Sequence, residues 1–228
     1  MPWINRPSQP LRAVLFDLDG TLLDTAPDMA QALNRLRLEC NRPPLPFALI
    51  RPQVSNGARG LLELGFNLRP GETGFEILRD RFLQLYRQDL ASETRLFDEL
   101  HGVLDQLEQR GLPWGIVTNK PGFLTRQLLH ELGMAPAVVV SGDDLPRRKP
   151  FPDQLLHAAQ RLQLPAAAIA YVGDHERDIE ASRAAEMPAI AARWGYLDGE
   201  RPIEDWQAGA IADHPADLRS LIFLEPAA

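Results

Sequence analysis

The strongest constraint on how this chain folds is an alternation of short apolar runs with amphipathic stretches of helical period. The runs are Ala13 to Phe16, Trp114 to Thr118, Ala137 to Val140 and Ile169 to Val172, with weaker ones at Ala189 to Ala192 and Ala210 to Ala212. A strand covered on both faces reads as a continuous apolar run, and parallel neighbours must be joined by a crossover, usually a helix. Between the runs, Phe75, Leu78, Phe82, Leu85 and Tyr86 fall at helical spacing, as do Val103, Leu104 and Leu107, and then Phe123, Leu124, Leu128 and Leu129. These faces are expected to be core, and Gly111 and Gly133 stand where such helices would stop.

One interval breaks the rhythm. From Thr25 to Thr94 there are helical patterns but no convincing strand, and the block is too long for a loop. It is read as a helical insert placed after the first strand, with the Pro-rich stretch Pro43 to Pro52 joining two of its helices. The predicted fold class is α/β, a three-layer Rossmann-like parallel sheet core with an inserted helical cap domain. The core takes residues 1–24 and 95–228, the cap 25–94, and residues 1–10 are expected to be a disordered tail.

Bulk properties bound the function. A chain of 228 residues buries roughly 70–75% of the surface its unfolded form exposes, enough for one large core without staples. Net charge −7 disfavours nonspecific attraction to nucleic acid or anionic membranes, so an anionic substrate must be caught by local positive groups. Cys40 is the only cysteine, which excludes an intrachain disulfide and a CxxC pair and suits a reducing compartment. No run is apolar enough for a membrane span, and the first ten residues lack the apolar stretch of a secretion signal, so the expected address is the cytoplasm. Neither nucleic acid nor a membrane is an expected partner; a monomer is expected, a dimer being open.

Chemistry concentrates in Val14-Leu15-Phe16-Asp17-Leu18-Asp19-Gly20-Thr21, an apolar strand that ends in two acids and a glycine. Ligands of open parallel sheets bind at the carboxyl ends of strands. Asp17 and Asp19, two apart, share a side if strand geometry persists, and Gly20 allows a sharp turn and close approach to a ligand. Two close carboxylates repel unless a proton or cation lies between them, and a hard cation with oxygen ligands, magnesium above all, answers that repulsion.

This DxDGT sequence after a buried strand resembles the first motif of the haloacid dehalogenase superfamily, and the likeness extends over nearly the whole chain. The resemblance implies that Asp17 is a nucleophile that becomes a phosphoaspartate, and that Asp19 protonates the leaving alcohol and later activates water. Thr118, with Asn119 beside it, matches the family's Ser or Thr at a second strand end, where a hydroxyl and helix N-terminal amides would cradle phosphate. Lys149 corresponds to the lysine that neutralises the attacking carboxylate and the phosphate oxygens, while Arg147 and Arg148 read as a solvated loop. In Gly173-Asp174-His175-Glu176-Arg177-Asp178, Asp174 would complete a magnesium shell with Asp17 and the Asp19 carbonyl. Asp178 would steady Lys149 or the metal's waters. His175 departs from the small or acidic residue relatives more often carry and is read as structural or peripheral.

Selectivity would come from the insert, which resembles a four-helix cap hinged near Thr25 and Thr94. Within it, Val54-Ser55-Asn56-Gly57-Ala58-Arg59-Gly60 reads as a capped helix start; Arg59 either clamps a substrate carboxylate or sits in an intra-cap salt bridge. Longer stretches, including SNGARG, WGIVTNKP and RWGYLDGE, resemble the branch of phosphoglycolate phosphatases and, most closely, N-acetylmuramic acid 6-phosphate phosphatases of peptidoglycan recycling. The former usually carry Pro-Gly near Phe97 to Leu100, where this chain has Phe97-Asp98-Glu99-Leu100, which tilts the expectation toward the amino-sugar phosphate with phosphoglycolate as the alternative. Rival readings are a phosphohexomutase, which shares both acids, a dehalogenase, which would not need a magnesium site, and a noncatalytic binding module, which would not need Asp19.

Overall fold

The structure is a computed structural model that describes residues 3, 4, 7 and 9–223. In chain order, β1 (Ala13–Phe16) runs into a two-residue β2 (Leu23–Asp24) and then into the insert: α1 (Ala26–Glu39), α2 (Phe47–Ile50), a 3-10 turn at Arg51–Asn56, α3 (Gly57–Phe66) and α4 (Phe75–Gln88). The return strand β3 (Arg95–Leu96) pairs antiparallel with β2, so the insert leaves and re-enters through a short ribbon. Then follow α5 (Leu100–Gln109), β4 (Trp114–Val117), α6 (Gly122–Glu131), β5 (Val138–Val140), α7 (Asp153–Leu162), β6 (Ile169–Gly173), α8 (Glu176–Ala184), β7 (Ala189–Ala192), β8 (Ala210–Ala212) and α9 (Asp217–Ile222). Six of the strands form one parallel sheet in the order β5-β4-β1-β6-β7-β8.

The layers follow from which side chains each strand turns to which face. Val14, Phe16, Ile116 and Val172 pack with α5, α6 and α9 on one face, and Leu15, Val117, Ile169 and Tyr171 pack with α7 and α8 on the other. The first of these cores continues without a break into the insert through Leu18, Leu22, Leu33, Phe82 and Tyr86. Asp28, buried near the start of α1, accepts from the Thr94 amide at 2.9 Å and the Thr94 hydroxyl at 2.7 Å, which ties the two linkers together. Cys40, just past α1, is exposed.

Several expectations are corrected. Phe123, expected in the core, is 41% exposed, because α6 turns Leu124, Leu128 and Leu129 inward instead. Of the tail expected to be disordered, residues 1, 2, 5, 6 and 8 lie outside the described residues, but Trp3 and Ile4 are anchored. The Trp3 indole N–H donates to the Leu221 carbonyl at 2.9 Å and the Ile4 amide to the Gly209 carbonyl at 2.7 Å. Finally, α3 has no side-chain cap, since Asn56 is engaged elsewhere.

The departure at Phe97 to Leu100 acquires a physical meaning. Glu99 is exposed at φ 71 immediately before α5, a left-handed conformation that suits glycine. The chain keeps the turn without the glycine, and Glu99 is not among the residues that line the cavity described below. The left-handed conformation costs a non-glycine residue about 1–2 kcal/mol, offset in part by the unfolded-state entropy of glycine, about 0.4–1 kcal/mol. Glu99→Gly is therefore expected to raise unfolding free energy by about 0.5–1 kcal/mol, read from denaturant midpoints at unchanged slope.

Candidate active site

β1 lies between β4 and β6, and the chain builds outward from it in both directions, so the crevice at its carboxyl end is a topological switch point. The register sets Phe16 opposite Ile116 and Val172. The residues that follow, Asp17, Thr118 and Asp174, therefore emerge at one edge. Gly20 sits at φ +87, and a Cβ there would lie 2.3 Å from Asp174 Oδ2, so only glycine lets this turn press against the acid.

Lys149 organises the charges. Its ammonium is buried, 2.9 Å from Asp17 Oδ1 and 2.7 Å from Asp178 Oδ1. It also donates to the Val117 carbonyl at 3.1 Å and the Tyr171 hydroxyl at 2.7 Å. Three N–H bonds cannot serve four acceptors well, and the two carboxylate oxygens are left without a well-formed hydrogen bond although they touch the cation. Burial lowers the Lys149 pKa, but Asp17 and Asp178 outweigh it and hold the group above its ordinary value.

Asp17 is raised from 3.8 to about 7: burial is the largest cause, Lys149 opposes it, and Asp178 and Asp174 add to it. Asp174 is raised to about 6 by burial and by Asp178, against hydrogen bonds from the Tyr196 amide, Ser55 and Thr21. Ligand oxygens of Asp17, Asp174 and Asp178 lie within 4.8 Å of one another. Three converging carboxylates form an all-oxygen donor set that fits a hard divalent cation. The Asp19 carboxyl lies outside this cluster, whereas Asp178 lies inside it while also pairing with Lys149.

Asp19 instead accepts at Oδ1 from the Thr25 hydroxyl at 2.7 Å and from Lys120 Nζ at 2.9 Å. Thr118 is buried; its hydroxyl oxygen accepts from the Lys120 amide at 3.1 Å, which leaves its own proton free to donate. Asn119 donates to the Lys149 carbonyl at 2.9 Å, fixing the lysine loop, and its Oδ1 is buried without a partner. Asp17, Asp19, Thr118, Asn119 and Lys149 all open onto one cavity of about 1290 Å³ between sheet and insert. Arg59 lines its far side, exposed and without an ion pair among the described residues, so the intra-cap salt bridge is not formed.

The insert reaches the site directly. Ser55 donates to Asp174 Oδ2 at 2.8 Å, and Arg177 donates to the Ser55 carbonyl at 2.9 Å and to Asn56 Oδ1. His175 serves α8: its Nδ1 accepts from the Arg177 amide while Asp178 accepts from the His175 amide at 3.1 Å, a reciprocal capping box. Burial and neighbouring Arg177 lower its pKa to about 4, which keeps the ring neutral. Sequence reasoning missed Lys120, Tyr86, Tyr171 and Ser55. A signal existed for Tyr171, since a tyrosine inside a fully buried strand must find its hydroxyl a partner.

A profile of the haloacid dehalogenase-like hydrolases matches residues 11–186. The chain is 46% identical over 209 residues to a phosphoglycolate phosphatase of Xanthomonas campestris pv. campestris, covering 91% of this chain and 94% of that one. It is 40% identical over 214 residues to an N-acetylmuramic acid 6-phosphate phosphatase of Pseudomonas putida, covering 93% and 96%. A crystal structure described as a predicted phosphoglycolate phosphatase from Haemophilus somnus superposes with TM-score 0.81 at 26% identity, covering 92% of this chain and 97% of that chain.

The raised acids set a sign for stability against pH. A carboxyl with a raised folded-state pKa holds its proton more tightly in the folded than in the unfolded chain. Its contribution is fully present below 3.8 and is lost as pH rises through about 6 for Asp174 and about 7 for Asp17. Chelator-treated protein is expected to melt lower at about pH 8 than at about pH 5, and added magnesium to raise Tm more at the higher pH. A chelated protein whose Tm climbs over that interval would contradict the charge arrangement.

Proposed function

Since the chain belongs to the haloacid dehalogenase-like hydrolases and is a phosphatase of that family, we propose that it hydrolyses small carboxylated phosphomonoesters through a phosphoaspartate on Asp17. The observation that carries this reading is the pairing of Asp17 with buried Lys149 at the mouth of a cavity that also receives Asp19. Lys149 offsets the repulsion between the attacking carboxylate and an anionic ester. In the first step an Asp17 oxygen bonds to phosphorus, the bond to the leaving oxygen breaks, and Asp19 supplies that oxygen's proton. In the second, Asp19 takes a proton from water, the water oxygen bonds to phosphorus, and the Asp17 carboxylate departs.

Thr118, Asn119 and the Gly20 turn would hold the phosphate oxygens. Asp17, Asp174 and the Asp19 carbonyl, with Asp178 beside them, would hold magnesium, which when bound would supply positive charge for the anionic reactants. The insert excludes bulk water from the phosphoaspartate, and its movement would be concentrated at the ribbon near Thr25 and Thr94.

Cavity size supports a sugar acid phosphate. Ligand pockets are commonly about 300–1,000 Å³, and a two-carbon phosphoglycolate would leave most of about 1290 Å³ to water. N-acetylmuramic acid 6-phosphate, with its lactyl carboxylate, is the larger of the two and carries an anion that Arg59, also lining the cavity, would clamp. Phosphoglycolate is favoured by one specific observation, the 46% identity to the Xanthomonas enzyme of that name.

Side-by-side kcat/KM values for N-acetylmuramic acid 6-phosphate, phosphoglycolate and simple sugar phosphates decide between the two substrates. Asp17→Asn is expected to reduce turnover to background while leaving the fold intact; near-normal magnesium-dependent hydrolysis by this variant would exclude the mechanism. Arg59→Ala should raise KM for a carboxylated substrate about tenfold or more, the worth of a charge-assisted hydrogen bond. An equal loss on a carboxylate-free phosphate would rule out the clamp.

A further inference from the structure

We propose that Lys120 is a positioning residue for the Asp19 carboxyl and that Tyr86 of the insert holds Lys120 in place, an inference that rests on the phosphatase reading above. The Lys120 side chain is 3% exposed. Its ammonium donates to Asp19 Oδ1 at 2.9 Å and to the Tyr86 hydroxyl at 2.8 Å, and it stands 4.5 Å from the centre of the Tyr86 ring. Three separate segments meet in this contact: the loop after β1, the loop after β4 and helix α4 of the insert.

Stability alone is a poor reason for such a pair. Buried ion pairs recover little more than their desolvation cost, and apolar replacements are often neutral or better. Geometry supplies a better one. Lys120 and Thr25 both donate to Oδ1, which fixes the rotation of the carboxyl, while Oδ2 accepts no hydrogen bond among the described residues. Oδ2 is thereby reserved for the proton that passes to the leaving oxygen as the Asp17 oxygen bonds to phosphorus and the ester bond breaks. Because Tyr86 belongs to the insert, the acid–base group is fully oriented only when the insert is seated on the core.

Leaving groups separate this role from a merely structural one. p-Nitrophenolate departs as a stable anion and needs no proton, whereas an alkoxide does. We would measure kcat/KM with magnesium for p-nitrophenyl phosphate and for the alkyl phosphate the wild type hydrolyses best, in wild type, Lys120→Met, Lys120→Arg and Tyr86→Phe. Lys120→Met is expected to lose at least about tenfold more on the alkyl ester than on the aryl ester, chiefly in kcat. Lys120→Arg should recover part of that ratio, and Tyr86→Phe should shift it severalfold in the same direction. Equal losses of Lys120→Met on both esters would overturn the positioning role, and an unchanged ratio in Tyr86→Phe would overturn the link to the insert. If Lys120→Met does not fold, Tyr86→Phe, which keeps the ring and its volume, decides alone. A wild type inactive on every phosphomonoester would instead sink the phosphatase reading, and this inference with it.

Discussion

Everything at the carboxyl edge of the sheet is arranged around one buried ammonium. Without Lys149, Asp17 and Asp178 would face each other and Asp174 with no cation between them. The lysine in turn depends on the groups around it. Tyr171 anchors it from the middle of β6, and the Val117 carbonyl anchors it from the end of β4. Asn119 holds its loop, and Gln154 accepts from its amide at 3.0 Å while donating to the Thr118 and Ser141 carbonyls. Strand ends, loop and cation form one hydrogen-bonded unit.

The insert is joined to this unit by two kinds of contact that act differently. Its apolar interior continues into the sheet's core, which holds it near the crevice without dictating its angle. Direction comes from polar bonds: Ser55 on Asp174, Arg177 on Ser55 and Asn56, Arg51 on the Gly195 carbonyl at 3.2 Å, and Tyr86 on Lys120. Each polar bond involves a residue at, or next to, a group proposed to act on substrate.

The sheet was legible because continuous apolar runs admit few alternatives, and all six runs became its strands to within a residue or two. The acids were legible because they follow those runs directly. The second tier was not, because its members look ordinary in sequence. Tyr86 sits at a spacing that reads as helix core, and it is indeed buried; only the fold reveals that its hydroxyl meets a cation from 34 positions away. Lys120 follows a strand-end Thr-Asn, yet spacing cannot tell whether such a lysine faces water or an acid 101 positions earlier. Phe123 misled for the opposite reason, since helical period selects a stripe of α6 but not its exact edge. At Glu99 a side chain occupies a backbone conformation that local propensity would assign to glycine, and the surrounding structure prevails.

The lone thiol offers a practical corollary. Cys40 projects from the end of α1 on the outer side of the helical block, and it has no competitor anywhere in the chain. A single dye or spin label can therefore be attached there without introducing or deleting any side chain. Its signal would report rocking of the block while the chemical groups beneath remain in their native form.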